Sequence, residues 1–493
     1  TKIAEKTAES GTPVSAKAEE TDTGKAAELS GEKRNAGVEN SFRILGIFGC
    51  IALWITIAIA LIGLLVVSMY VNRPKFLYQK FIQSFLMFQF MAFWVLYNAQ
   101  LPYNLLSYLH ALFGYSTGWH GIFNKAARDN HSEDADFARD YAKNTHQRFY
   151  EEGILTHFVL SFGFVLLIQA IVLFIYLIVK ALAILVNRSL ARENAETDNY
   201  NRSDDVARGV NGPMPLWKSA VLNLQYEFEW MLLVTIFLMF AVEVATFAVY
   251  NYYGASFKHP LFTFSFAWAV IWGALTLGLL MYVFLYPFKD NVDLLKSENH
   301  RRNGFIYEGL RLQGLRKSFQ GVQYLHYLAF GVVLAVAYSS ALTQSIVTYV
   351  LFIALVIFVV LMLPAETKFD KIEQIISHSL LLIAFTFLFA LLIDNSTKLM
   401  DANDRWILGY FAAIFSFIVI VWNMLIIIWK VVSYFLEILR CRREAVAGLK
   451  PDVIVDEDIE EEQRILNSAR ANRRSQAENP EVGVSPIIDM GDE

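Results

Sequence analysis

The residue best suited to chemistry in this chain is a glutamate inside an apolar stretch. Glu243 lies between Phe240 and Thr246 in a segment with no other ionisable residue. Burying a carboxyl group in hydrocarbon costs free energy, so such a residue usually has a compensating role. We expect Glu243 to bind a permeating cation or to carry a proton. A second interpretation is a hydrogen-bonded, protonated carboxyl group that ties two helices together.

Small polar residues in other apolar stretches are candidate partners of Glu243. Asn423 lies in the middle of one such stretch, and Ser339 and Ser340 lie near the end of another. Side chains of this kind form hydrogen bonds between membrane helices. They could equally line a wet cavity. If the spans align, Asn423 or the serine pair lies at a depth similar to that of Glu243 and is its expected partner.

Three further acidic residues are clustered near the end of an apolar stretch. Asp394, Asp401 and Asp404 would form an external acidic rim that concentrates cations at the mouth of a pathway. The alternative is an ordinary solvated loop. His326 and His378, at the ends of two other stretches, would need matched depth to serve as axial haem ligands, and single hydrogen-bonded histidines are the alternative.

Motifs for enzymatic chemistry are missing from the sequence. It has no P-loop, dinucleotide fingerprint, HExxH or GxSxG motif. Its two cysteines exclude a disulfide scaffold and a cysteine-ligated metal site. We therefore expect no enzymatic activity, no catalytic residue, no cofactor and no metal site.

The composition indicates a polytopic membrane protein. The 493 residues are 55% hydrophobic and 18% charged, whereas an average soluble domain has about 25% charged residues. The apolar residues occur in long runs, which excludes a soluble enzyme, a disordered regulator and a fibrous protein. A net charge of −5 does not suggest nucleic-acid binding. The expected partners are membrane lipids and further subunits of a homo- or hetero-oligomer.

The elements that must position these residues are membrane-spanning helices. A helix needs about 20 mostly apolar residues to cross the hydrocarbon core. Nine stretches qualify by inspection, which predicts an all-α polytopic bundle; they are 44–71, 76–98, 153–186, 230–252, 261–287, 321–342, 345–364, 372–394 and 406–439.

Lys and Arg residues give the expected orientation. They concentrate in segments 188–218, 289–317 and 440–443, which lie on one side if nine spans are correct. Cytosolic loops carry such an excess, so the N-terminus is predicted outside and the C-terminus inside. The sequons at Asn130 and Asn395 are then external and are candidate glycosylation sites. We expect a plasma or ciliary membrane, with an organelle membrane as the alternative.

This topology divides the chain into three parts. Residues 1–42 are predicted to be a flexible external tail, and 441–493 an acidic cytosolic tail, since both have a charged, aromatic-poor composition. The transmembrane domain, 43–440, has an external loop at 99–152 and cytosolic loops at 187–229 and 288–320. Leucines and aromatic residues at helical spacing within 101–123 predict a helix lying on, or dipping into, the outer leaflet.

Short motifs in the second half give a family resemblance. They are Tyr307-Glu308-Gly309-Leu310-Arg311, Gln344, Leu363-Pro364, Lys371-Ile372-Glu373 and Trp406-Ile407-Leu408-Gly409, with Gln100-Leu101-Pro102-Tyr103-Asn104 and Phe228-Glu229-Trp230 before them. Residues 44–439 thereby resemble the transmembrane region of TRP-like polytopic proteins, namely the fungal TRP-like and flavin-carrier group and related ciliate multi-pass proteins. The resemblance implies cation conduction or small-molecule transport.

Two functions follow as expectations. The first is a TRP-like channel or transporter subunit for cations, with Glu243 as the permeation or coupling site and segment 289–317 as a cytosolic gating or docking element. The second is a non-conducting structural subunit that anchors an extracellular or organellar assembly. Polar residues converging on one wet path would favour the first, and a solidly packed apolar bundle would favour the second.

Overall fold

The computed structural model describes residues 36–70, 75–116, 158–200, 233–253, 260–296 and 303–446, together with isolated residues at 218, 221, 222, 225 and 299. These residues are almost entirely helical, as predicted. The helices are α1 (Ala36–Tyr70), α2 (Lys75–Ala92), α3 (Tyr103–Ser116), α4 (Phe158–Tyr200), α5 (Leu233–Met239), α6 (Ala241–Tyr253), α7 (Pro260–Leu285), α8 (Phe319–Val336), α9 (Ala341–Met362), α10 (Lys368–Thr397) and α11 (Ala402–Val446).

Seven helical stretches of the described chain are long and apolar enough to cross a membrane, which makes this a multi-pass membrane protein. They are Ala36–Thr56, Ser161–Leu190, Pro260–Phe288, Gly314–Val336, Ala341–Met362, Lys368–Thr397 and Ala402–Arg440. Apolar side chains on α4 and α7 face outward; Phe174 is 64% exposed and Ile271 is 53% exposed. Hydrocarbon is the environment in which such faces are favourable.

Two of the nine predicted spans, 76–98 and 230–252, are not among these seven stretches. The first corresponds to α2 and a following 3-10 turn, Phe93–Leu96, and α2 carries several polar residues. The second is interrupted at Phe240, which separates α5 from α6. Both segments are short or polar for a lipid-facing helix, and nine crossings therefore stay a prediction.

Helix α2 and its 3-10 turn form the centre of the bundle. Almost every side chain from Phe81 to Tyr97 is buried. On one side α2 contacts α1, α3 and α11, and on the other it contacts α5, α6 and α8. A helix surrounded by protein does not need an apolar surface all round, which explains how α2 accommodates polar residues.

Aromatic rings fill the space around the middle of α2. The Phe90 ring lies 4.5 Å from Phe330 of α8, 5.4 Å from Phe352 of α9 and 5.4 Å from Phe385 of α10, measured between centroids. Each such pair stabilises the fold beyond the area that it buries. These contacts join four helices into one core.

The helix predicted within 101–123 is present as α3, but its apolar face is covered by protein. Leu105, Tyr108 and Leu112 are fully buried against neighbouring helices, chiefly α1. Gly46 permits this close approach, because a Cβ there would lie 2.7 Å from the Tyr108 carbonyl oxygen. The predicted helix is thus confirmed for residues 103–116, its position relative to the membrane surface stays a prediction, and 117–123 lie outside the described residues.

The short motifs of the second half meet in pairs at two opposite ends of the bundle. At the Asn104 end (98–104, 337–344 and 394–409), the Asn104 amide donates to the Trp406 carbonyl at 3.0 Å. At the Gly309 end (303–318 and 363–370), the Arg311 N–H donates to the Pro364 carbonyl at 2.8 Å. Glu366 N–H donates to the Gly309 carbonyl beside it.

The predicted tails fall mostly outside the described residues. Helix α1 begins at Ala36 and α11 continues to Val446, so only the inner ends of 1–42 and 441–493 are described. Most of the predicted loops 99–152 and 187–229 lie outside the described residues, and so does Asn130. Segment 288–320 is largely described and folded, with Phe305, Ile306 and Tyr307 buried.

Candidate functional site

Glu243 is buried at the start of α6 and contacts the central helix. Only 1% of its surface is exposed, and Gln89 of α2 is 0% exposed. The Gln89 Nε2 donates a hydrogen bond to Glu243 Oε1 at 3.0 Å. Within the described chain, the second oxygen of each group, Glu243 Oε2 and Gln89 Oε1, has no hydrogen-bond partner. The site is thus an acid–amide pair with one bond formed and two buried oxygens unsatisfied.

Close helix packing encloses this pair. Gly331 of α8 faces α6, where a Cβ would lie 2.6 Å from the Val242 carbonyl oxygen. The Thr246 hydroxyl donates to the Val242 carbonyl at 2.8 Å and is 3.3 Å from the Gly331 carbonyl. Thr246 is thereby committed to the backbone of α6 and α8, and Gln89 is the side chain that supplies a hydrogen bond to Glu243.

The partners predicted for Glu243 have other contacts. Asn423 donates to the Val419 carbonyl at 2.8 Å, and its Oδ1 accepts from Ser84 at 3.4 Å. Ser340 is the N-cap of α9, where it accepts from Thr343 N–H, and Ser339 is exposed. Glu243 therefore does not pair with these residues, because the centre of the bundle is α2 rather than α11 or α8.

Asn423 does contribute to a small cleft between α1, α2 and α11. Thr56 and Ser84 line it with Asn423, and the other lining residues are Leu53, Phe88, Met91, Ile420 and Met424. The Thr56 hydroxyl donates to the Ala52 carbonyl of its own helix. Polar atoms here are thus mostly used in local hydrogen bonds.

The three aspartates of the predicted rim are not equivalent. Asp394 is buried and accepts from Met400 N–H at 2.8 Å, and its Oδ2 is 3.6 Å from Arg405 Nε. Asp401 and Asp404 are exposed, and Asp401 accepts from Asp404 N–H at 2.8 Å at the start of α11. The three carboxylates do not form one exposed rim, because Asp394 is used to join the ends of α10 and α11.

Asn395, the second predicted glycosylation residue, lies in the last turn of α10. Its Oδ1 accepts from Gln100 N–H at 3.1 Å. The Arg405 guanidinium also donates to the Gln100 carbonyl. Gln100 is thereby held by both neighbouring helices at the Asn104 end.

An ion pair that sequence reasoning missed lies toward the Gly309 end. Lys80 of α2 and Glu373 of α10 form a salt bridge, with 4% and 2% of their side chains exposed. Ser377 donates to Glu373 Oε1 at 3.3 Å and accepts from Trp422 Nε1 of α11 at 3.1 Å. This network joins three helices and satisfies the buried charges.

A second ion pair lies beside the first. Lys430 of α11 donates to Asp370 Oδ1 at 2.6 Å. Thr367 caps α10, accepting from Asp370 N–H at 3.1 Å and donating to Asp370 Oδ2 at 2.6 Å. Helix α10 is therefore held by charge on both its α2 side and its α11 side.

His378 does not fit the haem alternative, in which it would pair with His326. His378 Nδ1 is 2.7 Å from the Gln374 carbonyl, and its Nε2 is 3.2 Å from Gln323 Nε2. Both ring nitrogens of His378 thus have protein partners, which leaves none for iron. The described residues contain no group of three His, Cys, Asp or Glu side chains placed to hold a metal ion.

The missed residues did have a sequence signal. Lys80 and Gln89 are two of several polar residues in the mainly apolar stretch 76–98, and Glu373 follows Lys371 at the start of another. Polar residues within a predicted span indicate an interior helix with partners. Their partners could not be predicted in this way. Gln89 and Glu243 are 154 positions apart in the sequence, and local residue spacing does not show which distant segments come together.

Comparison of the chain with families of known proteins, with curated proteins and with solved structures finds no match.

Proposed function

We propose that this chain is a channel or transporter subunit for cations, in which Glu243 is the permeation or coupling site. One observation carries the proposal: a fully buried carboxyl group in a multi-pass membrane protein has one oxygen with no described partner. An ionisable group held in the membrane at this energetic cost marks an ion or proton pathway more often than a structural contact.

The local backbone supports this role. Glu243 lies in the first turn of α6, directly after the interruption at Phe240. Interrupted helices near the middle of the bilayer are frequent at transporter sites, because their ends provide partial charges to the ligand.

The proposal includes nine crossings, with the N-terminus outside and the C-terminus inside. Helices α8, α9, α10 and α11 run alternately between the Gly309 and Asn104 ends. Helix α2 and its 3-10 turn also reach from Gln79 beside Phe305 to Asn98 beside Gln344, which supports a further crossing there. Arg311, Arg316 and Lys317 at the Gly309 end support its cytosolic location. Protease protection of tags on both termini in sealed vesicles tests it; cleavage of both tags from one side would exclude an odd number of crossings.

A flux assay tests the function. Purified protein in liposomes is expected to carry cations down an imposed gradient, and Glu243→Gln to abolish that flux while the protein stays folded. The matched control is Asp404→Asn, which neutralises an exposed carboxylate and should leave flux near the wild-type rate. Equal flux from wild type and Glu243→Gln would exclude Glu243 as the site.

A specific observation favours the alternative, a non-conducting structural subunit. Aromatic rings pack closely around Phe90, and the described residues leave no open path to Glu243. Conduction would then require movement of α2 or α6. The structural role predicts liposomes no more permeable than protein-free ones, and co-purification of partner chains from native membranes.

The family, membrane and assembly expectations belong to the same proposal. The TRP-like assignment rests on the short sequence motifs alone and is kept as part of the proposal. We keep the plasma or ciliary membrane, lipid partners and a homo- or hetero-oligomer as parts of it. Mass measurement of the protein in native-lipid nanodiscs tests the assembly.

A further inference from the structure

We infer that Glu243 and Gln89 form a proton-binding pair, so that the cation bound at this site is H⁺. The inference deepens the proposed function and rests on it only for transport; binding of the proton is a property of the pair. It follows from which atoms of the two groups are bonded and which are not.

The carboxyl group of Glu243 and the amide group of Gln89 have matching hydrogen-bond donors and acceptors only when Glu243 is protonated. Gln89 Nε2 already donates to Glu243 Oε1 at 3.0 Å. The remaining oxygens, Glu243 Oε2 and Gln89 Oε1, are both acceptors when the acid is ionised, and an acceptor cannot bond an acceptor. Both are buried without a partner in the described chain, a situation that costs free energy for each atom.

One proton would satisfy both oxygens. A proton on Glu243 Oε2 makes that atom a donor, and rotation of the end groups into a common plane lets it donate to Gln89 Oε1. The result is a cyclic acid–amide pair with two hydrogen bonds. Protonation forms the O–H bond of the carboxyl group and breaks an O–H bond of a hydronium ion, which leaves as water; release reverses both changes, so the step needs no oxidant or reductant.

A metal cation fits the same atoms poorly. Hard cations such as Ca²⁺ and Mg²⁺ take about six or more oxygen ligands. Glu243 and Gln89 together offer two oxygens without a partner, and the nearby Thr246 hydroxyl is committed to backbone carbonyls. No third acidic, histidine or cysteine ligand is placed with them in the described chain.

Other titratable groups lie on the elements packed against α6 and must be separated in a pH titration. They include His326, Tyr324 and Tyr327 on α8, Lys75, Tyr78 and Lys80 on α2, Tyr282 on α7, Tyr176 and Lys180 on α4, and Tyr250, Tyr252 and Tyr253 on α6 itself. Lys80 is bound to Glu373. Helix α4 also carries Glu193, Glu196 and Asp198, so the Glu243 band is identified as the part of the carboxyl signal that differs between the wild type and Glu243→Gln.

Infrared difference spectroscopy of the purified protein across a pH titration provides that signal. The carbonyl stretch of a protonated carboxyl group is expected in the wild type and should be lost in Glu243→Gln. Gln89→Leu should shift the band to higher frequency, because the acid loses its hydrogen-bond partner. Gln83→Leu is the matched control, since Gln83 is a buried glutamine on the same helix, and it should leave the band unchanged.

Other variants keep the test decisive if one fails to fold. Glu243→Asp keeps a carboxyl group but retracts it by one methylene, and it should retain a band at a frequency shifted toward that of Gln89→Leu. The double variant Lys80→Met/Glu373→Gln removes the other buried glutamate and should retain the wild-type band. A wild type without the band at any tested pH, or a band that persists in Glu243→Gln, would overturn the inference.

Flux measurements separate this inference from the proposed function. Liposomes carrying only a proton gradient are expected to show Glu243-dependent proton flux, and liposomes with only a Na⁺ or K⁺ gradient at constant pH none. Flux of Na⁺ or K⁺ without protons would sustain the proposed function and overturn the inference. The infrared band without any flux would sustain proton binding and overturn transport.

Discussion

Helix α2 meets two buried glutamates, and the two sites differ in how completely their charges are satisfied. Glu373 of α10 has Lys80 and Ser377 as partners, whereas Glu243 of α6 has the neutral Gln89. Both glutamates are almost unexposed. The comparison teaches that burial alone does not define a functional site here; what distinguishes Glu243 is the lack of a counter-charge among its described contacts.

The two sites also assign different tasks to the same helix. The Lys80 site joins α2 to α10 through opposite charges, and Lys430 with Asp370 joins α10 to α11 beside it. The Gln89 site joins α2 to α6 through one neutral hydrogen bond. We expect the first contact to be the fixed one and the second to be the one that changes with protonation.

Removal of Lys80 should have the largest effect. Lys80→Met leaves Glu373 buried without a counter-charge, and breaking a buried ion pair in this way costs about 3–5 kcal/mol. The free energy of unfolding in detergent should fall by that amount. Lys80→Met/Glu373→Gln should recover most of the loss, and a double variant as unstable as the single one would contradict the account.

The close packing between α6 and α8 helps to hold Glu243 and Gln89 together, so loosening it should also lower stability. Gly331→Ala places a Cβ 2.6 Å from the Val242 carbonyl, and overpacking of this kind costs about 1–3 kcal/mol. Gly278→Ala on α7 is the control, since a Cβ there meets nothing within 4 Å. The midpoint temperature of thermal unfolding should be lowered by Gly331→Ala and left unchanged by Gly278→Ala.

Exposed carboxylates provide the reference for both buried ones. Asp401→Ala removes the side chain that accepts from Asp404 N–H at the start of α11, and loss of such a cap costs about 1 kcal/mol. Asp404→Ala should change the unfolding free energy less. Equal effects of the two variants would mean that the cap does not stabilise α11.

Neutralisation of Glu243 should have the smallest effect on stability. Glu243→Gln keeps the shape of the side chain and replaces an acid that our inference already treats as neutral, so the unfolding free energy should change by less than about 1 kcal/mol. Chemical denaturation measures the unfolding free energy of Glu243→Gln and, for comparison, of Glu373→Gln, which leaves Lys80 without its charged partner. A loss as large as that of Glu373→Gln would indicate an ionised Glu243 with an essential charge.

The sequence identified the lipid-facing helices more reliably than the interior ones. Continuous apolar runs such as 261–287 correspond closely to α7, because hydrocarbon imposes that composition on an exposed helix. Helix α2 does not meet this requirement for a long apolar helix. Neighbouring protein rather than lipid surrounds its polar residues Gln79, Lys80 and Gln83. Span prediction from hydropathy is therefore least sensitive at the centre of the bundle, where the candidate site lies.

The candidate site was predictable in part. Glu243 could be selected because one ionisable residue stands in an apolar run. Its partner could not, because Asn423, Ser339 and Gln89 are all plausible by residue type, and only the packing of α2 between the two groups of helices chooses among them. Asp394 shows the same limit: its pairing with Arg405 depends on the turn between α10 and α11.

The contact between α1 and α3 offers a way to time the opening of the bundle. Cys50 is buried there, and its thiol lies 3.6 Å from the carbonyl oxygens of Ala111 and Leu112. With Cys441→Ser, Cys50 would be the one thiol left in the chain. A membrane-permeant maleimide could then modify the protein only as fast as α1 separates from α3. The rate of Cys50 modification would therefore report the rate of that motion.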